Sequence, residues 1–489
     1  MFTLKNKIFY LSDSYRFYTL IAIYLICHFF IRIFFEGSLQ VDDAEQIRLG
    51  QDLQLGYLMR FPQPPLYSWL AWGIFQIFGV SIFSISLLKY LLIMITFIFI
   101  FKIADALYKD TDTQYFAGFS FLLMPSFAWH MHQGFTHTIL LGCALMMSLF
   151  WILKILKEDN TKNYIYLGLS LGIGILSKYS FFIFMFIAFL SIFATQKLKK
   201  KFINKKFIYT IFLAFIISTP HFLWIFNNQT EIFELINNRI NLIPNGKSDS
   251  NNLSFLNFYL SSIAFVSPLV FLMPSLLKNL FFSLKEAQSS HLFLNNFYYL
   301  ILLFPIVIYI FIPIPEIKVR WLHPAMMLFP FLMFLKIFKN KEQVSKYSKI
   351  FYITLVLLTL IILFLRIYQF EYAPNFGKLS RINTPILKTL DRIDLKFKID
   401  ESYTIKTSDS FLASHLLIKY PKNHIILNDE INNRIYNFRN NNVVRCLHFE
   451  DNDHNYKDMD ESDFEKILLI LKTIVGDKTY LLSIGECKS

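Results

Sequence analysis

The stretch "VDDAEQIRLGQDLQLGYLMRFPQPPLYSWL" at residues 41–70 gathers groups that could do chemistry. Asp42, Asp43 and Glu45 stand within five positions. A carboxylate so placed can act as a general base, taking a proton from a hydroxyl or an amine. Asp42 and Glu45 are three apart and share one face of a helix. The plainer reading is that Asp42 or Asp43 caps the helix "AEQIRLGQDLQL" that follows. Arg60 offers a planar fork for phosphate, or a cation that snorkels to an interface. Pro62, Pro64 and Pro65 end any helix and fix the path of the loop, with Gln63 among them. Tyr57, Tyr67 and Trp69 suit a headgroup belt.

Three further segments carry candidate groups. "WHMHQGFTHTILL" holds His130, His132 and His137. Their spacing matches no standard metal-ligand pattern, so a single His137 turned into a site is the better expectation. "GIGILSKY" sets Lys178 between two apolar runs, where an ionisable group is unusual. "PEIKVRWLHP" presents Lys318, Arg320 and His323, three potential phosphate ligands. No ligand set demands a cofactor, although the carboxylates could hold Mg²⁺ or Mn²⁺.

The elements that must position these groups are apolar. The 489 residues are 55% hydrophobic and only 17% charged, with a mean hydropathy of +0.43. Apolar runs at roughly 16–35, 81–107, 116–131, 138–156, 164–178, 179–195, 207–226, 255–277, 297–314, 321–338 and 349–369 have about the length a helix needs to cross a bilayer. They predict a polytopic α-helical membrane protein with about eleven transmembrane helices. The first run reads as a retained anchor. The net charge of +13 lies in short segments such as "QKLKKKFINKK" and "KNKEQVSKYSK". That placement is cytoplasmic-loop chemistry rather than a nucleic-acid surface. Counting crossings from Lys5, Lys7 and Arg16 puts the N-terminus inside. It puts loop 36–80 and everything after about 370 on the extracytoplasmic side. Residues 371–489 read strand, helix, strand, a small α/β domain. There, an oxidising compartment would permit a disulfide between Cys446 and Cys487, two separate thiols being the alternative. Acid, base and phosphate-binding groups thus share one side of the membrane, as in an enzyme acting on a phosphorylated lipid.

At this point the chain resembles a family. "VDDAEQ", "GY", "QPPLYSWL" and "IFGVSIFSISLLKYL" are similar to the opening of GT-C class membrane glycosyltransferases. The branch is that of protein O-mannosyltransferases and the lipid A aminoarabinose transferase. "LGLSLGIGILSKYS", "KVRWLHPAMMLFP" and "YTIKTSDSFLASHLLIKYP" resemble further family segments. The resemblance implies a polyprenyl-phosphate sugar donor, inversion at the anomeric carbon, and a lipid, glycan or protein acceptor outside the cytoplasm. It puts Asp42 at the family's catalytic aspartate and Asp43 where a Glu is usual. It aligns Lys178 and Arg320 with basic positions that meet the donor phosphate, and His137 with a frequent Asp. Gln63 stands where the aminoarabinose branch has a Lys, which argues against that substrate. The expected arrangement is Asp42 as base, with Arg60, Lys178 and Arg320 around the phosphate. The rivals are a flippase or transporter for lipid-linked sugars, which would put ionisable groups at mid-membrane depth, and an O-antigen ligase or polymerase.

Overall fold

Backbone groups in lipid have no water to bond, so apolar runs of this length must close their hydrogen bonds internally as helices. The computed structural model describes residues 13–58, 62–241, 288–311, 326–337, 341–376, 382–396, 398–429, 434–438, 445–452, 464–475 and 478–487. Among these, five helices are long and apolar enough to span a membrane: α1 (Asp13–Phe34), α4 (Ile82–Leu107), and those over Thr136–Lys157, Phe207–Asn227 and Tyr347–Tyr372. Phe181–Phe193 and the basic Gln196–Phe202 form a sixth candidate, bent by 114° at their junction. The run at 255–277 lies outside the described residues, as do parts of the runs at 297–314 and 321–338. Between α1 and α4 come α2 (Val41–Leu49), the short antiparallel strands β1 (Tyr57–Leu58) and β2 (Pro62–Gln63), and α3 (Leu66–Phe78).

The chain divides into two compact units. The first comprises Met1–Leu25, Leu55–Leu66 and Leu91–Leu360. Its best-packed helices are Thr136–Lys157, Thr161–Ser177 and Phe207–Asn227. Gly168 and Gly172, four apart, let the last two approach closely. A Cβ at Gly168 would lie 2.8 Å from the Thr210 carbonyl oxygen, and one at Gly172 would lie 2.8 Å from Ile217 Cβ. Small residues at such spacing are how helices pack when no hydrophobic force separates lipid from protein. Thr210 Oγ1 then donates to the Tyr164 carbonyl at 2.8 Å.

The second unit comprises Ile26–Gln54, Tyr67–Tyr90 and Ile361–Ser489. Its six-stranded sheet has the order β5-β4-β3-β6-β8-β7. The strands are β3 (Tyr403–Thr407), β4 (His424–Asp429), β5 (Arg434–Phe438), β6 (Arg445–Asn452), β7 (Phe464–Val475) and β8 (Lys478–Cys487). β3 runs parallel to β4 and β6, and the remaining pairs are antiparallel. A parallel pair needs a crossover, and the Ser410–Lys419 helix supplies it between β3 and β4. Asp409 starts that helix by accepting the Leu412 N–H at 2.6 Å, and Phe411, Leu412, Leu416 and Leu417 fill its buried faces. The Ile386–Lys396 helix packs beside it. Cys446 is disulfide-bonded, whereas Cys27 and Cys143 are free.

Gly168→Val should weaken the first unit, because the added carbons meet backbone rather than a yielding side chain; overpacking of this kind costs about 1–3 kcal/mol. Gly73→Ala, with nothing within 4 Å of the new Cβ, should be neutral or slightly stabilising. Thermal unfolding of the purified variants in detergent checks both.

Candidate active site

α2 carries the acidic residues. It begins at Val41, with Gln40 as an extended N-cap that makes no side-chain capping bond. Asp42 and Asp43 are therefore not caps. Both already lie in the first turn, where the helix dipole favours carboxylates. The helical period then parts these neighbours. Asp42, Glu45 and Arg48 recur every three residues on a half-buried face. Asp43, Ala44, Gln46 and Ile47 are buried, and Gln46 Oε1 accepts a 2.8 Å bond from Ser68 of α3.

Asp43 ends in a cluster of charge. Lys89 Nζ of α4 lies 2.8 Å from Oδ1 and 2.9 Å from Oδ2, and Arg32 Nη2 of α1 lies 3.3 Å from Oδ2. Arg32 Nη1 also pairs with Glu36 at 2.9 Å and donates to the Ser38 carbonyl at 2.8 Å. The other oxygen of Glu36 is held by Arg366, from the Lys341–Ile367 helix. Arg366 further donates to His28 Nδ1 at 2.7 Å and to the Tyr90 hydroxyl at 3.3 Å. Arg32, Glu36, Asp43, Lys89 and Arg366 are each 1% exposed or less. Burial raises the Glu36 carboxyl, but the Arg366 and Arg32 charges outweigh it and hold the group below its usual value.

None of Arg32, Glu36, Lys89 and Arg366 was singled out by the motif reading. A signal existed. Arg32, Lys89 and Arg366 each interrupt an otherwise apolar run, where a charge demands a partner. Arg32 and Glu36 are four apart, the spacing of an intrahelical ion pair.

In the first unit, Lys178 follows the Thr161–Ser177 helix, and its Nζ donates to Thr138 Oγ1 at 2.9 Å. His137 Nδ1 donates to the Ser177 carbonyl at 3.2 Å, so this basic residue and this imidazole are held side by side. Phe135, just before them, adopts a left-handed φ of 62°, a strained conformation of the sort that collects at functional sites. His132 is buried and lies 2.8 Å from the Tyr24 hydroxyl, and no group of three His, Cys, Asp or Glu side chains among the described residues is arranged to hold a metal ion.

Gln63 lies on β2, opposite Tyr57 of β1. The entry to β1 is clamped from the Phe207–Asn227 helix. His221 Nδ1 donates to the Leu55 carbonyl at 2.8 Å, and Nε2 lies 3.0 Å from the Tyr179 hydroxyl. The Trp224 ring covers Gly56 so closely that a Cβ there would sit 2.3 Å from it. Asp42, Asp43 and Glu45 thus share α2 in one unit, while Gln63, His137 and Lys178 belong to the other. Arg60, Lys318, Arg320 and His323 lie outside the described residues.

Comparisons with known proteins bear on the fold and the class of activity. Residues 62–224 match the family model described as dolichyl-phosphate-mannose-protein mannosyltransferase. The lipopolysaccharide core galacturonosyltransferase RgtB of Rhizobium johnstonii is 26% identical over 405 residues, which is 82% of this chain and 80% of that protein. RgtA of the same organism, also a lipopolysaccharide core galacturonosyltransferase, is 23% identical over 413 residues, covering 84% and 81%. The fold is similar to that of ArnT from Cupriavidus metallidurans bound to undecaprenyl phosphate, with a TM-score of 0.59, 11% identity, and 97% and 98% of the two chains covered. The same enzyme without ligand superposes with a TM-score of 0.58 over 96% and 98%. The chain is a multi-pass membrane protein with the GT-C fold. It is a glycosyltransferase.

Asp43→Ala should destabilise the second unit by about 3–5 kcal/mol, because it strands Lys89 beside Arg32 without a counter-charge. Combining Asp43→Leu with Lys89→Met should recover part of that loss. Melting temperatures and the yield of monodisperse protein in detergent read the difference.

Proposed function

We propose that this enzyme moves a sugar from a polyprenyl-phosphate carrier to a cell-envelope acceptor at the outer face of the bacterial cytoplasmic membrane, with Asp42 as general base. The observation that carries this reading is the division of labour on α2. Asp43 is committed to Lys89 and Arg32, so its position is spent on structure. Asp42, next to it, keeps a half-buried place beside Glu45, where an acceptor can reach it. The curated relatives support a lipopolysaccharide-type acceptor, and ArnT with its undecaprenyl phosphate supports the carrier class.

In the proposed step the acceptor hydroxyl attacks the anomeric carbon from the face opposite the phosphate. The new C–O bond forms as the bond to the phosphate oxygen breaks. The hydroxyl proton passes to Asp42, and the polyprenyl phosphate departs with the bonding electrons. Charge grows on that phosphate, and fixed cations stabilise it most effectively where water is scarce. Lys178, already ordered by Thr138, is the described candidate for this task, with Arg60, Lys318, Arg320 and His323 as further ones. His137 keeps Lys178's surroundings polar, and Glu45 and Gln63 are proposed to contact the sugar or acceptor. A Mg²⁺ or Mn²⁺ ion is not required by this scheme.

Purified enzyme in nanodiscs, given labelled polyprenyl-phosphate sugars that include the galacturonosyl donor, should transfer label to lipopolysaccharide core. Asp42→Asn should lower turnover by at least 10²-fold while the melting temperature stays within about 2 °C. Near-wild-type transfer by that variant would remove Asp42 from the mechanism. Movement of the carrier across the bilayer without sugar transfer would favour a flippase instead.

A further inference from the structure

Two consecutive residues of the C-terminal sheet domain grip the turn that carries the carboxylates. Within the second unit, the Ser410–Lys419 helix packs along α2. His415, fully buried on that helix, donates through Nδ1 to the carbonyl of Phe411, one turn back, at 2.8 Å. This bond fixes the tautomer and leaves Nε2 with its lone pair. Nε2 accepts the Leu39 N–H at 3.2 Å and the Ser38 hydroxyl at 3.1 Å. Ser414 Oγ reaches the Ala44 carbonyl at 2.8 Å. The bonds to Leu39 and Ala44 therefore bracket Asp42 and Asp43. On the other side Arg32 holds the Ser38 carbonyl.

The grip substitutes for something α2 lacks. Its N-cap, Gln40, makes no side-chain capping bond, so the first turn of the helix is left without the usual local cap. A neutral imidazole far along the chain, within the same unit, holds Leu39 at the entry to the helix. Burial, with the Arg32 charge adding to it against the Phe411 bond, pulls His415 down to about 4, so Nε2 remains an acceptor at neutral pH. Two carboxylates on the neighbouring helix are engaged elsewhere. Asp391 and Asp394, on the Ile386–Lys396 helix, pair with Lys419, and Asp394 also takes the Tyr420 hydroxyl.

We propose that His415 is a positioning residue for sugar transfer: it sets the first turn of α2, and through it the direction of the Asp42 carboxylate. This rests on the reading of Asp42 as the base. A displacement near 1 Å at a reacting group costs on the order of 10²-fold in rate, so loss of the grip should appear in turnover rather than in substrate affinity.

The test compares variants in the nanodisc transfer assay, normalised to folded protein. His415→Ala should lower kcat by about tenfold to a hundredfold with KM for donor and acceptor within about twofold. His415→Gln, whose amide oxygen can take the Leu39 N–H, should recover most of that loss. In the Asp42→Asn background, His415→Ala should cost nothing further. An Asp42→Asn variant that retains turnover sinks the base assignment itself. With Asp42→Asn reduced to a residual turnover at least 10²-fold below wild type, an unchanged kcat in His415→Ala sinks the positioning role alone. So does an equal fold-loss from His415→Ala in both backgrounds, or a Gln variant no better than Ala.

Discussion

The ionic cluster of Arg32, Glu36, Asp43, Lys89 and Arg366 is the constraint on which the second unit depends. At an effective dielectric of about 20, each close contact is worth about 5 kcal/mol. Removing each ion from water costs several kcal/mol in return. The sum is near balance, so the cluster contributes little net stability. What it contributes is exclusivity. Arg32 and Arg366 both close on Glu36, and Arg32 and Lys89 both close on Asp43. Any other register of α1, α2, α4 and the Lys341–Ile367 helix would leave a charge buried without its partner, at a cost the fold could not absorb.

That exclusivity has a chemical use. On the reading of Asp42 as base, one carboxylate of the turn is held for structure while its neighbour keeps some exposure. Two adjacent aspartates on one helical turn allow both, since the period of 3.6 residues sends their side chains in different directions. Asp43 is buried among its ion pairs, and Asp42 stays half-buried. The basic side of the proposed reaction follows the same division in the other unit, where Thr138 and Ser177 hold Lys178 and His137 by neutral hydrogen bonds.

The sequence made much of this legible, and physical reasons separate what it did from what it did not. Long apolar runs and basic loops point to a membrane protein because those signals are local. The run "YTIKTSDSFLASHLLIKYPKNHIILND" reads as strand, helix and strand from its changing period, and the structure has β3, the Ser410–Lys419 helix and β4 there. The acidic stretch stands out through its density alone. The cluster does not, because its members come from four separate segments and become neighbours only on folding. The capping role considered for Asp42 and Asp43 failed because α2 starts at Val41 rather than after them. His415 was hidden for another reason. A single histidine in an apolar helix reads as core, and its bond to Leu39 spans 376 residues of chain.

That separation orders the enzyme's birth. During synthesis Leu39 leaves the ribosome long before His415 exists, and Glu36 waits 330 residues for Arg366. The carboxylate turn can therefore reach its final geometry only after the last apolar helix and the sheet domain have been made. On the proposed role of His415, a nascent chain that has already entered the bilayer still lacks the contact that sets the first turn of α2.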